Sequence, residues 1–337
     1  MREALFYTKG EHGRVQCGLC RFRCGIDDGR RGLCGVRENR GGVLYSLVYG
    51  KAVAEQVDPI EKKPLFHFLP GSRSYSVAAV GCNFRCFHCQ NYNISQPSRE
   101  GGSVVGGNLT PAEIVAGARA AGCRSISYTY TEPTVFFEYA YDTAVLAHRA
   151  GIRNIFVTNG YITPEALSFI RPFLDAANID LKGFSDKFYR EIVGAELNGV
   201  LDCIRDYKRL GIWIEMTTLV IPGLNDSDEE LAAIARFIAD EIGIETPWHV
   251  SRFHPTYRLT DHPVTPVATL RRARQIGIAA GLRYVYEGNV PGEGGENTYC
   301  PGCREPLITR YGFAIEDSSI RDGKCPECGH ILDGVWE

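Results

Sequence analysis

The sequence predicts an α/β protein of parallel strands, flanked at both ends by small cysteine-rich pieces. Two observations carry the α/β prediction. Strand-like and helix-like segments alternate regularly through the middle of the chain, and nearly every polar motif follows the C-terminal end of a strand-like run. Apolar, β-rich runs fall at residues 76–80, 125–130, 154–158, 177–181, 213–220, 248–253 and 283–286. Amphipathic stretches separate them. Six strand-to-helix units closed by a last strand imply parallel strands with right-handed crossovers. A doubly wound open sheet and an incomplete β/α barrel both fit, and both place their sites at strand C-terminal ends.

The helix boundaries are written into the sequence. Thr110-Pro111-Ala112-Glu113 offers an N-cap hydroxyl, a proline at the first helical position and a reciprocal Glu. Ser227-Asp228-Glu229-Glu230 repeats the capping-box logic. Thr163-Pro164 and Thr265-Pro266 put proline where its missing N–H costs nothing. Gly151, Gly211 and Gly281 stand where helix C-termini need a left-handed residue.

The two ends differ from the middle. Residues 1–72 form an N-terminal extension rich in Cys, Gly and Arg, residues 73–290 form the α/β domain, and residues 291–337 form a C-terminal appendage. The chain is 44% hydrophobic and 23% charged, with a net charge of −3. These are ordinary values for a soluble domain. They point to no nucleic-acid partner. No apolar run reaches membrane-spanning length, and Met1 to Arg14 lacks a signal-peptide core, so the expected location is cytoplasmic.

The 13 cysteines are grouped. Cys17, Cys20, Cys24 and Cys34 make one group. Cys82, Cys86 and Cys89 make a second, and Cys300, Cys303, Cys325 and Cys328 a third. Cys123 and Cys203 stand alone in helical patterns and read as buried structural thiols. Grouped thiols in a reducing compartment indicate metal sites more often than disulfides.

The central group has the spacing C-x3-C-x2-C and follows the first core strand directly. Three thiolates on a four-iron cubane leave one iron open for a substrate, as at an open catalytic zinc. The alternative is a structural zinc loop made by the three cysteines with His88. The spacing resembles that of the radical S-adenosylmethionine superfamily. That resemblance implies a partial (β/α)6 TIM-like barrel and a 4Fe–4S cluster on Cys82, Cys86 and Cys89. It also implies S-adenosylmethionine chelated to the unique iron, and one-electron cleavage to a 5′-deoxyadenosyl radical. The residue before the third cysteine, usually aromatic and near the adenine, is His88 here.

The strand-end motifs resemble the cofactor contacts of glycyl-radical-enzyme activases in that superfamily. Tyr128 to Thr134 holds Glu132, which the resemblance assigns to the methionine ammonium; the bland reading is a helix N-terminal acid. Thr158-Asn159-Gly160 is similar to a cofactor-binding Thr-Asn-Gly, but Val157 replaces the usual Asp. Asp180-Leu181-Lys182 resembles an Asp-x-Lys that holds the cofactor's carboxylate and ribose, with mutual pairing of the two charges as the alternative. His254 aligns with a cofactor-contacting His, and its alternative is a structural strand histidine. Longer stretches extend the likeness over almost the whole chain. They run from Asp58 to Gly71, from Cys89 to Asn91 and from Tyr128 to Thr134. They resemble the radical S-adenosylmethionine enzymes of the AmmeMemoRadiSam group, relatives of pyruvate formate-lyase activating enzymes. The implied partners are reduced flavodoxin or ferredoxin as electron donor, an unassigned small-molecule or protein substrate, and Memo- and AMMECR-type companions.

The C-terminal group forms two Cys-Pro-x-Cys knuckles, Cys300/Cys303 and Cys325/Cys328, as in a zinc ribbon. Four thiolates close a tetrahedral site, so structural zinc is expected there, with a rubredoxin-like iron as the alternative. The N-terminal four leave three readings open: structural zinc, an auxiliary iron–sulfur cluster, or thiols and disulfides.

Overall fold

The predicted alternation is realised from Arg73 onward in this computed structural model, which describes residues 1–99 and 102–337. The chain divides into two units, Met1–Asp58 with Arg73–Ala176, and Pro59–Ser72 with Ala177–Glu337.

In the first unit, β1 (Arg73–Ala78), β2 (Ser125–Tyr128) and β3 (Arg153–Thr158) are parallel, with β2 in the middle. Ser125 lies opposite Ser74 on one side and Arg153 on the other. A strand Ala54–Pro59 edges β1. Every residue of β2 is buried, as expected of a strand covered on both faces. The connecting helices are α1 (Pro111–Ala120), α2 (Phe137–Arg149) and α3 (Pro164–Ile170). The Thr110 capping box forms in full: Glu113 N donates to Thr110 Oγ1, and Thr110 N donates to the Glu113 carboxylate. Gly117 lets α1 lie close on β1, since a Cβ there would come within 2.5 Å of the Tyr75 hydroxyl.

In the second unit, β4 (Ala176–Asp180), β5 (Trp213–Val220), β6 (Trp248–Arg252) and β7 (Val285–Gly288) lie in sequence order, with β6 parallel to both β5 and β7. Their helices are α4 (Leu197–Arg209), α5 (Asp228–Phe237) and α6 (Val267–Ala279). Leu197, Val200, Leu201, Ile204 and Tyr207 form the buried stripe of α4, at the spacing of one helical face.

Pro164 opens α3 behind Thr163 as expected, whereas two other helix starts depart from expectation and the Thr163 hydroxyl has a tertiary use. Ser227 accepts from Glu230 N, but Glu230 sends its carboxylate to Phe184 N instead of back to the cap, so only half of the box forms. Thr163 spends its hydroxyl on the carbonyls of Gly18 and Leu19, which ties the N-terminal extension to the start of α3. Pro266 is the N-cap of α6, while Thr265 Oγ1 serves Phe253 N and Val220 O.

The N-terminal extension folds into two three-stranded antiparallel sheets. Arg37 pins it: its guanidinium donates to both oxygens of Glu138 on α2, at 2.9 and 3.1 Å, and to Leu5 O, while Leu5 N donates to the same carboxylate. Both side chains are buried. In the second unit, Pro59–Ser72 runs with the C-terminal tail. Leu69 N donates to Val335 O, and Val335 N donates to His67 O. The C-terminal appendage is a three-stranded antiparallel sheet over a small core of Cys300, Leu307, Cys325 and Leu332. Among the described residues no helix is long and apolar enough to cross a membrane.

Candidate active site

The loop after β1 carries the cysteine triad. It begins at Gly81, whose φ of +102° and tight surroundings exclude a side chain. A Cβ there would sit 2.7 Å from Val36 Cγ1 and 3.1 Å from Cys34 O. Phe84 N donates to Cys82 Sγ at 3.3 Å, and the Ser95 hydroxyl lies 3.2 Å from Cys89 Sγ. Burial first, then the charges of Glu132, Cys86 and Cys89, pushes the Cys82 thiol well above its ordinary range. A bound cation would oppose that rise and favour the thiolate. Cys86 and His88 are buried in the same loop.

The ends of β2 and β3 converge on Glu132. Its Oε1 accepts from Thr134 N, Thr134 Oγ1 and Thr158 Oγ1, at 2.5–3.0 Å. Its Oε2 accepts from Asn159 N at 2.9 Å and, more weakly, from Thr158 Oγ1 at 3.1 Å. The carboxylate caps the short helix Pro133–Phe136, so the helix-terminus role is real. It does not exhaust the group, because Oε2 keeps lone-pair capacity for a further donor. Burial raises the Glu132 pKa, and the donors from Asn159, Thr134 and Thr158 oppose the rise.

Asn159 reaches across to the triad loop. Its Nδ2 donates to Asn83 Oδ1 at 2.7 Å and lies 3.8 Å from Cys82 Sγ. Asn159 Oδ1 and Asn83 Nδ2 are buried without a protein partner. Buried polar atoms of this kind are rare and need a ligand or water. The first unit thus gathers Cys82, Cys86, Cys89, His88, Glu132, Thr158 and Asn159 at the C-terminal ends of its strands. By sequence alone Asn83 and Asn91 are ordinary loop asparagines, of the kind that favour turns. Asn83 instead joins the triad loop to β3, and Asn91 Nδ2 donates to Tyr130 O, bracing the β2 end. Their one signal in the sequence is adjacency to Cys82 and Cys89.

In the second unit, Lys182 Nζ donates to Asp180 Oδ2 at 2.9 Å at the end of β4, the mutual pairing considered as the alternative. Asn225 Nδ2 donates to Lys182 O and fixes that strand end. His254 is exposed just past β6. Its neighbour His249 is buried, with Nε2 2.7 Å from Glu215.

The cysteine groups differ in spacing. The four C-terminal sulfurs all lie within 4.8 Å of one another, with Cys300 to Cys328 and Cys303 to Cys325 each at 3.6 Å. A tetrahedral ion with metal–sulfur bonds of about 2.3 Å sets its sulfurs roughly 3.8 Å apart, so this is a metal site with single-ion dimensions. Among the described residues the C-terminal four are the group so arranged, and the triad and the N-terminal four are not. The cysteine triad, the orphaned amide atoms beside it and the acceptor capacity of Glu132 fit a cluster with a polar, ammonium-bearing ligand.

Comparison with known proteins gives the class. A family model for the radical SAM superfamily matches residues 76–238. An uncharacterized protein of Methanocaldococcus jannaschii, MJ0808, is 49% identical over 343 residues, covering 99% of this chain and 100% of its own. The isethionate sulfite-lyase activating enzyme of Nitratidesulfovibrio vulgaris is 30% identical over 139 residues, 39% of this chain and 44% of its own. The crystal structure of a radical SAM methyltransferase from Sphaerobacter thermophilus matches with a TM-score of 0.50 at 19% identity, over 66% of this chain and 68% of that one; this likeness is of fold alone. The chain belongs to the radical SAM superfamily. It is a radical SAM enzyme whose family implies a 4Fe–4S cluster and S-adenosylmethionine.

Proposed function

We propose that this chain is an oxidoreductase-type radical enzyme, with Cys82, Cys86 and Cys89 holding the cluster and Glu132 and Asn159 receiving S-adenosylmethionine beside it. The observation that carries this reading is the Asn83–Asn159–Glu132 arrangement, in which Asn159 Oδ1 and Asn83 Nδ2 lie buried without a protein partner beside Cys82. When bound, the pair supplies one-electron cleavage to a 5′-deoxyadenosyl radical, which takes hydrogen from the substrate. The chain's own part is to hold and orient. Phe84 N and Asn159 Nδ2 offer donors to Cys82 sulfur, which favours its thiolate. Thr134, Thr158 and Asn159 N fix the Glu132 carboxylate so that its remaining lone pair can take an ammonium donor. Asp180, Lys182, His254 and His88 are proposed further contacts on the strength of the family resemblance. The electron comes from reduced flavodoxin or ferredoxin, the C-terminal four-Cys site holds structural zinc, and Memo- and AMMECR-type proteins are companions.

A second reading, activation of a glycyl radical enzyme, draws support from the partial similarity to an isethionate sulfite-lyase activating enzyme. The test is anaerobic reconstitution followed by reduction with S-adenosylmethionine present. Release of 5′-deoxyadenosine that disappears in Cys86→Ala supports the proposal. Undiminished release from that variant overturns it. A glycyl radical appearing in a companion protein would select the second reading.

A further inference from the structure

The N-terminal cysteines are set differently from the C-terminal ones. Cys17, Cys20, Cys24 and Cys34 line one hollow, walled by the apolar side chains of Leu19, Phe22, Ile26, Leu33 and Val135, and also by Arg37 and Asn83. All four are free thiols. Local hydrogen bonds shape the ring: Cys17 N donates to Cys24 O, and Arg23 N donates to Cys20 O. Yet among the described residues it is the C-terminal four, and not these, that gather as a compact ligand group with every sulfur within 4.8 Å of the others. A single tetrahedral ion draws its sulfurs to roughly 3.8 Å. Four thiolates converging on one hollow at wider spacing match a group with more than one metal atom.

The hollow also shares a wall with the triad. Asn83, which follows Cys82 directly, lines it. Arg99 donates from Nη2 to Asn83 O at 2.6 Å and from Nε to Leu33 O, clamping the two cysteine loops together. Ser98 Oγ donates to Cys34 O, and the Cys34 carbonyl packs on Gly81.

We infer that Cys17, Cys20, Cys24 and Cys34 hold a second, polynuclear iron–sulfur cluster, placed to pass single electrons to the triad. A low-potential one-electron donor gives this cluster one electron, and the same electron moves on; no bond changes and no proton is needed. The metal assignment stands on the sulfur geometry, whereas the relay role rests on the cluster proposed at the triad.

The experiment uses the full chain, reconstituted anaerobically with iron and sulfide, beside the variant Cys82→Ser/Cys86→Ser/Cys89→Ser. The variant is expected to keep about two to four irons with matching sulfide, and its reduced paramagnetic signal should not move when S-adenosylmethionine is added. A variant free of iron and sulfide overturns the inference, whether it holds zinc at the N-terminal site or nothing. If the wild type still cleaved S-adenosylmethionine in that case, the proposed function would stand alone. A variant that kept its cluster beside an inactive wild type would leave the inference standing and the function fallen. In the fully reduced wild type the two signals should broaden each other, and Cys20→Ser/Cys24→Ser should sharpen the one that remains. Unbroadened wild-type signals overturn the relay. Should that double variant not fold, the metal count of the triad variant still decides the site.

Discussion

Asn159 donates to Asn83 at 2.7 Å, and the same nitrogen lies 3.8 Å from Cys82 sulfur. One amide at the end of β3 therefore positions the first ligand of the triad, while its backbone N–H holds Glu132. Asn159→Ala removes the first function and spares the second. The iron content of the triad should persist. Affinity for S-adenosylmethionine should fall about tenfold, equivalent to about 1.4 kcal/mol, as read by titration of the spectral change. Unchanged affinity would release Asn159 from the site.

Cys86 is a buried member of the triad. Cys86→Ala should lose the S-adenosylmethionine-sensitive paramagnetic signal and reduce 5′-deoxyadenosine formation to background. The metal of the C-terminal four-Cys site should be retained in the same preparation, which elemental analysis can check.

Arg37 and Glu138 form a buried, bidentate pair that fastens the N-terminal extension. Arg37→Met leaves the carboxylate buried without its counter-charge and with the Leu5 N–H as its remaining donor, which costs about 3–5 kcal/mol. Arg37→Met/Glu138→Leu removes both charges and should recover much of the loss. Denaturant midpoints of the two variants measure the difference. Equal midpoints would mean that Glu138 finds another partner.

The second unit carries an acid-sensitive network. His67 Nδ1 faces Asp333 O, which can only accept, so Nδ1 donates and Nε2 accepts from the Tyr286 hydroxyl. That neutral form is favoured by burial, which brings the folded pKa from 6.5 down to about 4. Burial alone would raise the Glu215 pKa, but the hydrogen bond and charge of His249, the charge that His67 gains on protonation and the Phe66 backbone donor hold it below the usual value. Both groups bind fewer protons folded than unfolded. Stability is therefore present above pH 6.5, declines toward pH 4 as His67 protonates, and falls further as Glu215 does. The His67 contribution is on the order of 3 kcal/mol. Thermal unfolding of the wild type should steepen over this interval, and His67→Gln should flatten the profile.

The C-terminal ribbon has single-ion dimensions. Cys300→Ser/Cys325→Ser should lose one metal ion per chain and lower the melting temperature, without changing the iron held by the triad. These two cysteines also belong to the ribbon's small core, so the destabilisation should exceed that of Cys303→Ser/Cys328→Ser on the exposed side.

Much of the fold was legible because it rests on local rules. The βα beat, the Thr110 box and the glycines at 151, 211 and 281, all with positive φ, follow from short-range sequence chemistry. The Ser227 box was half right because Glu230 found a tertiary donor at Phe184 N, which no local pattern reveals. The triad was legible from its spacing. The parts played by Asn83 and Asn91 were not, since an asparagine in a loop is an ordinary turn residue until its distant partner is known. The same holds for the wall between the first two cysteine groups, built by Arg99 and Ser98 from a segment with no motif.

At Gly81 two stretches of backbone and side chain meet so closely that even a methyl group could not be inserted. Matter packed to that density is slow to admit small molecules. Dioxygen approaching a cluster on the triad from that flank would meet this contact between the N-terminal extension and the triad loop first. A shortened chain beginning at Arg73 should bleach faster than the intact one, even if its chemistry under nitrogen were unaltered.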